Sequence, residues 1–163
     1  MSQYTLNQNQ FAQTPMLGQV SMIPNPSVVS AQFNPSSSAV LQNGSAVKLI
    51  TGTSAGLLID ATSGPTDGPV FGTVVYNLRK NLYSPGDVVE VATAGSYTFL
   101  ETSAAVTRGA KVTSTAATTG NDPTVATVSS ASTQYVTGVA VDTATGAGQL
   151  IRVDIAPSLN GAV

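Results

Sequence analysis

A chain of 163 residues with no Cys and no His has no disulfide, no thiolate nucleophile, no imidazole base and no imidazole or thiolate metal ligand. Only 9% of its residues are charged and the net charge is −2, against about 25% charged in an ordinary soluble domain. That balance excludes the basic footprint nucleic acid requires and implies a surface prone to associate.

The chain starts MSQYTLNQNQ, without the basic and apolar blocks of a secretory signal. No apolar run reaches the roughly 18 residues that span a bilayer. The expectation is a chain made in a cytoplasm, with no membrane partner. Its first charged residue is Lys48; the 47 residues before it hold seven Gln, five Asn, eight Ser and four Pro. Prolines at 15, 24, 26 and 35 disfavour helix and favour extended backbone. A disordered tail shares that composition, but such tails usually stay soluble through charge, and this one has none. Apolar groups strung along it, among them Phe11, Met16, Leu17, Met22, Ile23 and Phe33, suit an extended arm lying on another protein. Residues 1–47 are therefore read as an arm and 48–163 as the body, which is expected to fold without it.

From Val47 onward, short Val-, Ile-, Thr- and Tyr-rich runs alternate with Gly, Pro, Asp and Ser clusters. The runs predict strands at Val47–Thr51, Leu57–Ala61, Val70–Asn77, Val88–Thr93, Tyr97–Glu101, Lys111–Thr115, Thr124–Ser129, Val136–Asp142 and Leu150–Ile155. In the last, Ile151, Val153 and Ile155 alternate with Arg152 and Asp154, as in a half-buried strand. Val139 and Val141 are expected to face the core with them. A single helical turn is expected in Thr102–Arg108, ended by Gly109. One internal echo sets the turn before Val88 (Ser84-Pro85-Gly86) beside the turn before Lys111 (Thr107-Arg108-Gly109). The pattern is all-β: a small β-barrel or sandwich of about eight to nine short strands with a long extended N-terminal arm.

Reactive constellations are scarce. Asp87 and Glu90 are three apart in a strand, so they point to opposite faces. The loop Asp60–Gly68 brings two Asp to a Gly-Pro turn, but matches no calcium-loop spacing. No catalytic residue, metal ligand or cofactor is assigned, and an enzyme is not expected. Tyr76, Arg79, Lys80 and Tyr83 surround the only adjacent basic pair. They read equally as a solvated turn or as an interface, where Tyr and Arg are enriched.

The ordered set Ser84–Val91, Val106–Val112, Thr137–Asp142 and Gly148–Val153 resembles the small β-rich decoration (structural cement) proteins of tailed-bacteriophage capsids. In these, a Gly-Asp-x-Val strand, a Gly-x-x-Val strand and a closing hairpin recur in this order, and the resemblance spans about Lys48–Ala156. It implies a non-enzymatic protein on the outer capsid surface that cements neighbouring major capsid protein subunits and stabilises the DNA-filled head. It implies a homotrimer at local three-fold positions, with major capsid protein and self as partners and no nucleic acid. The alternative is another β-rich virion component: a head fibre, tail or receptor-binding module. An arm of 47 residues extends up to about 150 Å at roughly 3.3 Å per residue, and joined copies multiply weak contacts.

Overall fold

The computed structural model describes residues 15–21, 26–51, 56–115, 123–129 and 134–158. Twelve strands follow in order: β1 (Val28–Phe33), β2 (Leu41–Gln42), β3 (Ala46–Leu49), β4 (Leu58–Ala61), β5 (Gly72–Val74), β6 (Leu82–Tyr83), β7 (Val88–Ala92), β8 (Tyr97–Thr102), β9 (Lys111–Ser114), β10 (Thr124–Thr127), β11 (Val136–Ala140) and β12 (Leu150–Ser158). All nine expected strands are among them. The additions are β1 and the two-residue strands β2 and β6, which pair with each other.

The strands close into two five-stranded barrels, β1-β4-β3-β5-β7 and β8-β10-β9-β11-β12. Taken in chain order within each ring, the sequence of neighbours is the same: first, third, second, fourth, fifth. The first and third strands are parallel in both, and every other pair is antiparallel. The registers coincide as well. Val28↔Ala92, Gln32↔Leu58, Leu49↔Ile59, Val47↔Gly72 and Thr73↔Ala92 in one barrel answer Tyr97↔Asp154, Glu101↔Thr124, Ser114↔Val125, Val112↔Gly138 and Val139↔Asp154 in the other. The chain is a tandem duplication of one barrel.

The glycine turns follow this repeat. Gly44 (φ 82°) and Gly109 (φ 84°) lead into the second strand of each barrel, and their N–H groups donate to Val74 O and Ala140 O, both at 2.8 Å. Gly86 and Gly148 do the same for the fifth strand, donating to Phe33 O and Thr102 O. Both turns of the echo read from the sequence do lead into strands, β7 and β9, but within the repeat Gly86 corresponds to Gly148, and Gly109 to Gly44.

Each barrel has its own core. Phe33, Leu41, Val47, Ile59, Val74, Tyr83, Val89 and Val91 fill the first; Leu100, Val106, Val112, Val125, Ile151, Val153 and Ile155 fill the second. Full burial of each large aliphatic or aromatic side chain is worth about 1.5–3 kcal/mol.

Three expectations are corrected here. The boundary at 47/48 falls inside β3, and β1 closes the first barrel with Phe33 fully buried. A charge-free segment carrying alternating apolar residues serves as a core strand as readily as an arm. Thr102–Arg108 is not helical: Thr102 ends β8, and Val106 bridges to Ala144, its side chain in the second core. Val139 faces outward opposite Asp154, while Gly138 and Ala140 face inward opposite Ile155 and Val153. Small residues point inward there because β12 supplies the bulk.

The barrels touch through short polar groups. Thr62 Oγ1 and Ser114 Oγ lie 3.3 Å apart, Tyr135 N–H donates to Pro65 O at 2.7 Å, and Ser27 N–H donates to Ser96 Oγ at 2.8 Å. The segment Pro15–Ser21 ties both barrels together: Gly18 O accepts from Tyr76 N–H (2.8 Å), and Gly18 N–H donates to Phe99 O (2.8 Å).

Candidate interaction surface

Period-2 alternation turns Val28 and Ser30 of β1, and Val88 and Glu90 of β7, away from the first core. Leu78, in the loop between β5 and β6, is 83% exposed, Leu82 of β6 53% and Val88 of β7 69%. Ser30, Val75, Asn77, Tyr83, Val88 and Glu90 line a shallow open depression of about 240 Å³ on this face. Large apolar side chains left this exposed are candidates for a contact surface. Leu78, Leu82 and Val88 were not singled out from the sequence, although alternation with Val89 and Val91 was enough to place Val88 outside.

The structure divides the roles of Tyr76, Arg79, Lys80 and Tyr83. Tyr83 is 4% exposed and belongs to the core; burial, first among its influences, pushes its hydroxyl above the ordinary value. Lys80 stands over the Tyr83 ring at 5.4 Å and pairs with Asp87 Oδ2 at 2.7 Å. Tyr76 is half-buried and held by Gly18. The Arg79 side chain is exposed, and its backbone N–H donates to Asn77 Oδ1 at 2.9 Å in a tight turn. Lys80 and Tyr83 thus build the loop, and Arg79 is presented by it.

Asp60, Asp67 and Asp142, like Asp87, are engaged by protein donors. Asp60 accepts from Ser37 Oγ (2.7 Å) and Asn34 Nδ2 (3.1 Å). Asp67 accepts from Lys48 Nζ (2.8 Å) and Ser63 N–H (2.7 Å). Asp142 accepts both Nε (2.9 Å) and Nη2 (2.7 Å) of Arg152, a bidentate clasp across the closing β11–β12 hairpin. Among the described residues no three His, Cys, Asp or Glu gather as a metal site would need.

The Arg152 hydrogen bond holds Asp142 below the ordinary carboxylate value of 3.8. The Lys80 hydrogen bond, then the Ser84 N–H, do the same for Asp87. For Asp67 burial acts upward, but the Lys48 and Ser63 hydrogen bonds outweigh it and the net shift is down. Folded-state values below the unfolded ones stabilise the fold above the unfolded value, and this is lost as pH falls through the folded values. The urea midpoint should therefore be flat near neutrality and decline below about pH 4. Asp142→Asn should flatten part of that decline and cost about 0.5–1 kcal/mol at neutral pH, since the pair is partly exposed. An acid profile identical in wild type and variant would remove the clasp from the account.

The six arm residues separate. Phe33 is a core residue and no docking group. The Leu17 side chain lies over Gly44, within 2.8–2.9 Å of where a Cβ would stand, so it is seated on its own body. Met16 beside it is 48% exposed. Phe11, Met22 and Ile23 lie outside the described residues.

A family model described as Structural cement protein (E217 gp24/Pam3 gp6) matches residues 4–156. No curated protein matches the chain. Among solved structures, the N base of head fiber gp8.5 in bacteriophage phi29 is similar at 18% identity and a TM-score of 0.48, covering 80% of this chain and 94% of that one.

Proposed function

The chain belongs to the phage structural cement protein family, and from that premise we propose that it binds the outer surface of a capsid and cements neighbouring major capsid protein subunits. It performs no catalysis; its work is contact area. The observation that carries this reading is the set of exposed large apolar side chains on the first half of the chain, Leu78, Leu82 and Val88. Such a set suits a broad protein surface better than a small molecule. Three copies acting together would multiply weak contacts into firm attachment. The charge-free N-terminal stretch, with Phe11, Met16, Met22 and Ile23, adds apolar contacts outside the barrels.

Purified protein should bind expanded, DNA-filled heads and raise their resistance to heat-driven DNA release, and it should not bind isolated tails or host cells. Because the N-terminal stretch carries no charge, the loss of head affinity on Phe11→Ala should be nearly the same at low salt and at about 0.5 M salt. Leu78→Asp should weaken binding by tenfold or more, roughly 1.4 kcal/mol, without lowering the melting temperature. Binding to tails instead of heads would overturn the reading.

A further inference from the structure

The duplication exposes one asymmetry. In the second barrel the first half of β8 is covered on one side by Gly18–Ser21, running antiparallel to it. Phe99 N–H donates to Gln19 O (2.9 Å), Gly18 N–H to Phe99 O (2.8 Å) and Ser21 N–H to Tyr97 O (2.7 Å), with Val20 bridging to Thr98. The register makes Val28–Ser30 of β1 the equivalent of Tyr97–Phe99, because Val28 meets Ala92 as Tyr97 meets Asp154.

Along β1 the odd-numbered residues aim their backbone groups at the β7 side: Phe33 N–H donates to Asp87 O, and Thr93 N–H donates to Ser27 O. Even-numbered residues therefore aim the other way. Gln32 N–H finds Leu57 O there, but β4 pairs only with Gln32 and Phe33. The N–H and C=O of Ser30 and the C=O of Val28 point along the same side, and no described residue bonds them. An exposed row of strand donors and acceptors is a template for another strand.

The surroundings define what fits. Val28 and Leu57 are exposed beside this edge, and Val88 and Glu90 of β7 lie across β1 from it. An extended, uncharged strand with apolar groups is complementary, and in the sister barrel the occupant is this chain's own charge-free segment. Fourteen further uncharged residues precede Pro15, with Tyr4, Leu6 and Phe11 among amides and hydroxyls. Extended, they span about 46 Å at roughly 3.3 Å per residue, enough to reach a neighbouring body. We propose that the open edge of β1 at Val28–Ser30 is a strand-acceptor site, filled by residues 1–14 of a second copy of this chain. The contact is between copies and needs no capsid, so it stands or falls apart from the function proposed above.

The full chain, carrying a photo-crosslinking benzophenone residue in place of Leu57, is mixed as light- and heavy-nitrogen copies, irradiated and digested. Mixed-isotope crosslinks from position 57 to residues 1–14 are expected. Same-isotope crosslinks alone would show the segment folding back on its own barrel, and no crosslink to residues 1–14 would leave the edge without this occupant; either overturns the proposal. In the unaltered chain, the Ser30 amide should exchange about tenfold slower at associating concentrations than in dilute solution. An unchanged rate, or slowing only on heads, also overturns it. Ser30→Pro removes a donor that β7 does not use, a place where an edge strand accepts proline. It should abolish the mixed crosslinks and leave the melt intact; if this variant does not fold, the exchange measurement decides.

Discussion

Gly138→Ala is expected to break the second barrel. At Gly138 the fourth strand passes so close to the fifth that an added Cβ would overlap the Asp154 carbonyl oxygen and come within 2.8 Å of Val153 Cγ1. The carbonyl belongs to the strand pairing of β11 with β12, so it cannot turn aside without opening the ladder. The duplicate position is Gly72, where the Cβ would overlap the Ala92 carbonyl oxygen and come within 2.7 Å of Val91 Cγ1. Neither glycine has a positive φ, so the cost is steric and not conformational. Glycine within a strand at a close backbone approach is the recognised use of the residue. Overpacking of this severity should cost more than about 3 kcal/mol at each site. Gly146, with nothing within 4 Å of its Cβ position, supplies the control: Gly146→Ala should stay within about 0.5 kcal/mol of wild type. Thermal melts followed by circular dichroism check all three variants. Unchanged melting of Gly138→Ala and Gly72→Ala would show that the strands separate more easily than the ladder implies.

Phe33→Ala should lower stability by about 3–5 kcal/mol, as for a large core aromatic cut to a methyl. Phe33 is 0% exposed at the end of β1, packed with Leu41, Ile59, Tyr83 and Val89. The same position in the second barrel is Thr102, whose hydroxyl donates to Gly146 O at 2.8 Å. The effect therefore belongs to the first barrel and should appear in the protein free of any partner. Chemical denaturation of the isolated protein measures it. A variant as stable as wild type but weaker on capsids would return Phe33 to the docking role that composition suggested for it. By the same reasoning, removing residues 1–46 takes away β1, and the first barrel cannot close without it.

The class of fold was readable because β-strands leave a local mark. Runs of Val, Ile and Thr between glycine turns disclosed nine of the twelve strands, and the absence of Cys and His left the chain without a thiolate or an imidazole. What escaped was decided by pairing across the chain. β1 looked like arm because its charge-free neighbourhood resembles a solvated extension; only β7, about sixty residues on, makes it a wall of a barrel. Val139 looked like core because it is apolar; only the bulk of Val153 and Ile155 opposite gave the inner face to Gly138 and Ala140. The candidate surface was half legible: the Tyr76–Tyr83 stretch stood out by composition, but Tyr83 turned inward and Leu78, Leu82 and Val88 outward. The duplication was hidden for the same reason. Phe33 and Thr102 occupy one place in the repeat, as do Leu58 and Thr124, so side chains diverged while glycine turns and backbone register persisted. Local composition determines which segments extend and where they turn. Which face is buried, which strands meet and which edge stays open depend on long-range hydrogen bonds and packing, which no single stretch of sequence contains.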